Sequence, residues 1–293
     1  MRILVLGASG MLGYQVFKTA AAHGLEVCGV VRNRKLIGPD QIKGFGWSIR
    51  EIDDARNIEA IERIIQEEKP DYLINAVGIV VQLPLAKDYY ESLSTNSLLP
   101  HQLEKLGTRH GFRLIQISTD CVFNGRKGMY LETDQPDAED LYGKTKEMGE
   151  VAYGCGITLR TSLIGHEMVK PTHGLLEWFL AQHTKINGYS QAIFSGLTTP
   201  EFAKVLMDVV IPGNFPAGIY HVSGEPVSKY ELLRLIADIY QKKIRIEPAT
   251  ELIVDRTLDG TLFNNLTGYK APGWKTLIES IRTEQENRTW DKF

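Results

Sequence analysis

Short β-branched runs alternate with longer amphipathic stretches through the first half of the chain, the pattern of βαβ units wrapped around a parallel sheet. The runs Ile3 to Leu6, Glu26 to Val31, Tyr72 to Ala76, Leu114 to Ser118 and Ile157 to Arg160 predict strands. Ile58, Ile61, Ile64 and Ile65 recur at helical spacing within Asn57 to Glu68, and Pro70 stops that helix. Beyond about residue 165 the regularity loosens. The pattern there predicts helices at Leu175 to His183 and Pro200 to Val210, a turn at Gly188 and a strand at Gly218 to Ser223. A further helix begins at Ser228, with Glu231 in capping-box spacing. The fold class expected is α/β: a Rossmann-type doubly wound parallel sheet in residues 1–164, followed by a smaller C-terminal substrate-binding lobe in 165–293. Residues around 195–225 are candidates to return to the first domain.

Composition adds limits. The 293 residues suffice for about two ordinary domains and a sizeable core. With 43% hydrophobic and 24% charged residues, disordered and low-complexity classes are excluded. The 33 basic and 36 acidic residues leave a net charge of −3, which argues for neither a nucleic-acid nor a membrane partner. No apolar stretch reaches the length of a membrane span or a signal-peptide core, so a cytoplasmic protein is expected. The three cysteines, Cys28, Cys121 and Cys155, lack the spacing of a disulfide framework or metal site, so a reducing compartment and no bound metal are expected.

Gly7, Gly10 and Gly13 follow the first strand and open a helical pattern, placing backbone amides where a pyrophosphate can approach. The spacing alone is weak; its position between strand and helix carries the argument. Ser9 and Met11 lie within the same turn. The second strand runs into Arg32, Asn33, Arg34 and Lys35 instead of an acidic residue. That favours the 2′-phosphate of NADP(H), with NAD(H) as the alternative and ordinary solvated surface charge as the bland explanation.

Tyr142 and Lys146 stand four apart in a segment, Leu141 to Val151, that reads as a helix, so both side chains share one face. Tyr14 and Lys18 have the same spacing. Only the first pair follows a strand ending in Ser118, Thr119 and Asp120, and the C-terminal edge of a parallel sheet is where such folds bind ligands. A phenol starts near pKa 10, and a neighbouring ammonium is expected to bring it toward neutrality so that it protonates a carbonyl oxygen as hydride arrives. Thr119 would hold that oxygen, and Lys146 would also bind the nicotinamide ribose.

Together, GASGMLG at 7–13, NAVG at 75–78, STD at 118–120 and YGKTK at 142–146 resemble the extended short-chain dehydrogenase/reductase family. Four further segments, ISTDCVFNG at 117–125, LYGKTKEMGE at 141–150, LRTS at 159–162 and GIYHVSGEPVSKYELL at 218–233, bring the resemblance closest to the dTDP-4-dehydrorhamnose reductase-like nucleotide-sugar reductases. The resemblance implies NADPH- or NADH-dependent reduction of the C4 ketone of a 4-keto-6-deoxy nucleotide sugar, in deoxysugar and cell-surface polysaccharide biosynthesis. It makes Thr119, Tyr142 and Lys146 the catalytic triad. Gly7, Gly10 and Gly13 become the diphosphate loop, Asp54 an adenine-side contact, and Asn75, Ala76, Val77 and Gly78 the cofactor lining. Thr119, Asp120 and Cys121 would meet the sugar. A homodimer is one expectation for the assembly, although the sequence itself carries no signal for it.

Departures from that pattern matter as well. The family commonly has tyrosine where this chain has Cys121 and aspartate where it has Asn124. Sugar-nucleotide dehydratases of the superfamily usually carry glutamate at the position of Cys121, so cysteine argues against dehydration. Cys121 also resembles the cysteine of GDP-fucose synthase, an epimerase-reductase whose second acid/base is a histidine early in the substrate lobe. His173, expected to start a helix after Pro171 and Thr172, lies at a comparable place. An epimerase/4-reductase using Cys121 and His173 is therefore an alternative, with a small buried cysteine and a surface histidine as its bland counterpart. A non-catalytic nucleotide-sugar or NADP-binding regulatory subunit is another. Arg256 is equally suited to a substrate phosphate or a structural salt bridge.

Overall fold

The computed structural model describes residues 1–37, 46–170 and 172–286. Its centre is a seven-stranded sheet built from β1 (Arg2–Leu6), β2 (Glu26–Val31), β3 (Trp47–Glu51), β4 (Tyr72–Asn75), β5 (Arg113–Thr119), β6 (Gly156–Thr161) and a last strand, Gly218–His221. From one edge to the other the order is Gly218–His221, β6, β5, β4, β1, β2, β3, and all pairs are parallel. The order reverses between β1 and β4, which opens a crevice at the carboxyl ends of those strands.

Period-two alternation sends side chains to two separate cores. Ile3 and Val5 of β1 join α1 (Met11–Ala22), through Val16, Phe17 and Ala20, on one face. Leu4 and Leu6 join α2 (Ile58–Glu68), through Ile61, Ile64 and Ile65, on the other. The second face is completed by α3 (Tyr89–Ser92), a π-helical segment Leu93–Leu98, and α4 (Leu99–His110), whose Leu99, Leu103 and Leu106 are buried. With both faces covered, central strands read as near-continuous apolar runs, and all of β6 is buried.

Several elements differ from the sequence pattern, each for a physical reason. Strand β3 was not expected, because as an edge strand only Ile49 is buried and its WSIRE sequence shows no apolar run. The helix carrying Tyr142, α5, spans Leu141–Met148 instead of reaching Val151, and Glu150 beyond it turns to Arg160. The stretch expected as a helix from Pro200 to Val210 is α-helical over Thr199–Val205 and π-helical over Leu206–Val210. The helix expected at Leu175 to His183 ends at Leu180, and the strand expected at Gly218 to Ser223 ends at His221.

Residues after the sixth strand form small two- and three-stranded sheets beside the crevice. Ala192–Phe194 pairs with Val227–Ser228 and with Val254–Asp255. Ser228 caps the helix Lys229–Ile239 by a reciprocal capping box with Glu231. The segment around Arg256 is fastened to the loop after β5: Tyr130 N–H donates to Thr257 O (2.9 Å), and Asp259 N–H donates to Tyr130 O (2.8 Å). Among the described residues, no helix is long and apolar enough to cross a membrane, and no group of three or more His, Cys, Asp or Glu side chains is placed to hold a metal ion.

A buried charge network underlies the sheet's carboxyl edge. Arg160 on β6 donates from Nε (2.8 Å) and Nη2 (2.7 Å) to the Glu150 carboxylate, and both side chains are within 5% of full burial. Ser118 Oγ donates to the same carboxylate at 2.7 Å. Arg160 Nη1 also lies 3.3 Å from His221 Nε2, while His221 Nδ1 lies 3.0 Å from the Tyr130 carbonyl. A guanidinium only donates and a carbonyl only accepts, so His221 is neutral with its proton on Nδ1. Burial, with the Arg160 charge beside it, holds its pKa down to about 4.

Removing the guanidinium leaves the Glu150 carboxylate buried without its counter-ion, which costs about 3–5 kcal/mol. Arg160→Met is therefore expected to lower the urea midpoint sharply with little change in slope. An unchanged midpoint would show that the pair contributes nothing net.

Candidate active site

The crevice is lined on one side by the turn between β1 and α1. A side-chain methyl on Gly13 would sit 2.1 Å from the Gly7 carbonyl oxygen, so the helix enters its turn only with glycine there. Gly10, the residue before α1, supplies no side-chain cap, which leaves first-turn amides at Met11 and beyond facing the crevice mouth. Ser9 is half-buried beside them. Across the crevice, Ala76 and Val77 pack against Gly7, since a methyl there would lie 3.1 Å from Val77 Cγ2 and 3.2 Å from the Ala76 carbonyl. The turn thus offers a narrow, amide-lined cradle that fits a dinucleotide pyrophosphate. Asn75 is fully used by the protein, donating to Gln116 Oε1 (2.8 Å) and accepting from Val77 N–H (3.1 Å), so its side chain shapes the strand end.

At the adenine end, Arg32 and Arg34 are both exposed just past β2. The Arg34 backbone N–H donates to Glu51 Oε2 at 2.9 Å. Asp54 engages Arg56 through both carboxylate oxygens, at 2.5 to 3.0 Å, which holds its carboxyl below the usual range. Arg56 in turn meets Glu91 at 2.8 Å, so Asp54 belongs to a small surface network tying the β3 end to α3.

Tyr142 and Thr119 come together where β5 ends. Asp140 caps α5 by accepting from Gly143 N–H at 2.9 Å, fixing where the helix starts and hence where residue 142 points. Gly143 lets α5 press onto the end of β5: a methyl there would lie 2.2 Å from the Cys121 carbonyl oxygen. Desolvation raises the Tyr142 phenol pKa, the Cys121 and Asp120 charges add to that, and the Thr119 hydroxyl acts the other way. Tyr142 is therefore held as a firmly protonated acid. The expectation that Lys146 would draw it toward neutrality is corrected, because Lys146 Nζ instead donates to the Ile117 carbonyl (2.7 Å).

Lys146 is 6% exposed and its ammonium lies 4.0 Å from where a Gly78 side chain would begin, so the NAVG segment and the lysine meet at the crevice floor. Burial pushes it down to about 8, and the Glu150 carboxylate alone opposes that shift. Asn96, which sequence reasoning missed, completes this floor. It accepts from Ile79 N–H (2.9 Å) and donates to Ile79 O (3.0 Å) and Thr145 Oγ1 (3.2 Å), stapling the segment after Gly78 to α5. Nothing in the sequence singles it out, because Ser94, Thr95 and Ser97 around it are polar as well.

The opposite rim is made by Asp120, Cys121, Arg256 and Lys229. Asp120, 5% exposed, accepts from the Thr119 hydroxyl (3.1 Å) and the Cys121 thiol (3.4 Å). Desolvation, reinforced by the Asp120 charge, pushes the Cys121 thiol up to about 12, so the residue is a proton donor at neutral pH and not a thiolate base. Arg256 donates from Nε to the Phe123 carbonyl (2.9 Å) and directs Nη1 toward the Cys121 sulfur (3.8 Å). Anchored to that carbonyl, its guanidinium faces the rim with no carboxylate within 4 Å among the described residues. His173 does not start a helix. The helix begins at Leu175 with Gly174 before it, and the backbone amides of His173 and Gly174 both donate to Glu167 Oε2. Pro171 lies outside the described residues.

A family model described as the RmlD substrate binding domain matches residues 1–256. The dTDP-4-dehydrorhamnose reductase of Aggregatibacter actinomycetemcomitans is 27% identical over 314 residues, which covers 97% of this chain and 99% of that protein. Methionine adenosyltransferase 2 subunit beta of Danio rerio is 27% identical over 254 residues, covering 82% of this chain and 74% of that one. The solved structure of a Bacillus anthracis dTDP-4-dehydrorhamnose reductase in complex with NADP matches with a TM-score of 0.75 at 19% identity, covering 97% of this chain and 99% of that one. At that identity the likeness shows the fold.

The Lys146 environment gives a signed pH dependence. Its pKa falls from 10.5 in the unfolded chain to about 8 in the fold, so between those values the unfolded chain binds the extra proton and stability rises with pH. Wild type is expected to gain up to about 3 kcal/mol relative to Lys146→Met from pH 8 to pH 10.5, with no further change in the difference below pH 8. Parallel stability profiles of the two proteins across that window would show that the ammonium is not desolvated as described.

Proposed function

We propose, from the premise that this chain belongs to the RmlD substrate binding domain family, that it is an NAD(P)H-dependent oxidoreductase reducing the C4 ketone of a 4-keto-6-deoxy nucleotide sugar. The product would feed deoxysugar and cell-surface polysaccharide assembly. The arrangement that carries this reading is the protonated Tyr142 phenol beside Thr119 at the carboxyl end of β5, next to the strand that borders the sheet's switch point, with the Lys146 ammonium on the crevice floor. A purely binding protein has no need of a buried acid at that place.

Bound nicotinamide dinucleotide would supply the hydride. The glycine turn at 7–13 would hold its diphosphate, the segment 76–78 its nicotinamide half, and Arg32 and Arg34 the 2′-phosphate that distinguishes NADPH from NADH. Lys146 spends one N–H on Ile117 and keeps the others for ribose hydroxyls at the crevice floor. Tyr142 would donate a hydrogen bond to the ketone oxygen, and Thr119 would do so by turning its single hydroxyl proton from Asp120 to the ketone. As that oxygen becomes an alkoxide, the phenol proton passes to it. A phenol whose pKa is raised by burial remains loaded until a stronger base forms beside it, which suits reduction. The Asp120 carboxylate accepts from the Thr119 hydroxyl, and its charge disfavours loss of the phenol proton before substrate charge develops.

Tyr142→Phe is expected to lower kcat by about 10³-fold, with NADPH affinity by fluorescence titration nearly unchanged. Turnover at most of the wild-type rate would remove Tyr142 as the acid. Arg32→Ala combined with Arg34→Ala should raise the KM for NADPH by about 30-fold and leave NADH kinetics almost untouched, since each of the two lost phosphate contacts is worth roughly 1 kcal/mol. Equal effects on both cofactors would assign the two arginines to the surface only.

A further inference from the structure

Lys229 lies on the rim of the site, and neither the sequence motifs nor the reaction described above gives it a task. It is the first residue of the helix Lys229–Ile239, and the capping box between Ser228 and Glu231 fixes the direction in which its side chain leaves the backbone. Its ammonium sits over the Phe194 ring, 3.9 Å from the centroid. Phe194 belongs to the strand that pairs with Val227 and Ser228, so ring and lysine are held on one small sheet. Among the described residues Nζ makes no hydrogen bond and closes no ion pair, although it stands in the fields of Asp120, Cys121 and Arg256.

The opposite pole is Asp120. One of its oxygens, Oδ1, takes the Thr119 hydroxyl and the Cys121 thiol, while Oδ2 accepts no hydrogen bond from the described residues. Ammonium and carboxylate therefore attract each other across the rim and stop short of contact, each with hydrogen-bonding capacity left over. Neither Nζ nor Oδ2 is among the buried unpartnered atoms of the described residues, so water reaches both in the open crevice, and a substrate that displaces this water has to replace its hydrogen bonds. A hydroxyl group answers both needs at once, accepting from Nζ and donating to Oδ2. A carbonyl or ether offers no donor to Asp120. A protonated amine would bring a third cation beside Lys229 and Arg256.

We propose that Lys229 and Asp120 together read a hydroxyl of the substrate next to its reacting ketone, making Lys229 a specificity-determining residue. The inference rests on the reductase reading. Asp120 adjoins Thr119 in the chain and is bonded to it, so the group it meets lies one carbon from the oxygen that Thr119 holds. In a 4-keto-6-deoxyhexose C5 carries the methyl branch, which leaves the C3 hydroxyl as the group read. The substrate is thus a 3-hydroxy sugar and neither a 3-deoxy nor a 3-amino one.

The test compares a dTDP-linked 4-keto-6-deoxyhexose with its 3-deoxy counterpart, by kcat and KM with NADPH and by calorimetric titration of the NADP-loaded protein. Wild type is expected to prefer the 3-hydroxy sugar by about 100-fold in kcat/KM, because the deoxy sugar leaves buried polar groups unpaired. Lys229→Met should reduce that preference to about fivefold or less, chiefly by raising KM for the hydroxy sugar, and Lys229→Arg should restore most of it. A preference unchanged in Lys229→Met overturns the assignment. Should wild type reduce neither sugar, the reductase reading fails by itself, and the titration still decides: equal wild-type affinity for the two sugars overturns the role of Lys229, and tighter binding of the hydroxy sugar that Lys229→Met abolishes supports it.

Discussion

The buried ion pair between Glu150 and Arg160 is the constraint on which the crevice depends. Two charges taken out of water hold a structure only with further partners around them, and here Ser118, His221 and the Phe123 ring supply these. Those partners are the elements that must not move. Ser118 precedes Thr119, Glu150 follows α5, His221 ends the last strand of the sheet, and Phe123 lies in the loop after β5 and anchors Arg256 through its carbonyl. One network therefore fixes the phenol, the hydroxyl and the late segments relative to each other. The Glu150 carboxylate also acts on Lys146, the one influence favouring its charged form against burial.

Upon that frame the site divides by chain order. The dinucleotide side comes from the first half, where strand ends and a glycine turn expose backbone. The sugar side is assembled from residues far apart in sequence, with Asp120 and Cys121 from one strand end, Lys229 from a helix start and Arg256 from a strand end fastened to Tyr130. A chain with a net charge of −3 thereby sets Lys229 and Arg256 in the field of the buried Asp120. The local field is positive where a nucleotide sugar would lie, although the overall charge gives no hint of it.

Protonation follows the same logic. Proximity in sequence suggested that Lys146 would acidify Tyr142, but the fold sends the ammonium to the Ile117 carbonyl and surrounds the phenol with Cys121, Asp120 and Asp140. The result is an acid kept loaded, not one poised to ionise. Cys121 behaves alike, its thiol donating to Asp120 and raised by burial, so a base at that position is not what the fold provides.

Wherever the physics is local, the chain alone determined the outcome. Period-two apolar runs specified the central strands, helical spacing of Ile61, Ile64 and Ile65 specified α2, and the turn at Gly7 to Gly13 is legible because only glycine tolerates the backbone contacts that a tight strand-to-helix turn imposes. Thr119, Tyr142 and Lys146 were legible as types at informative positions. Tertiary structure decided everything that depends on which distant groups share low-dielectric space: the edge strand β3, whose stability comes from pairing with β2, the hydrogen-bonding of Asn96, the true partner of Lys146, and the placing of Lys229 over Phe194 across from Asp120. Desolvation and Coulomb interaction act through space, and no spacing along the chain encodes which charges burial will bring together.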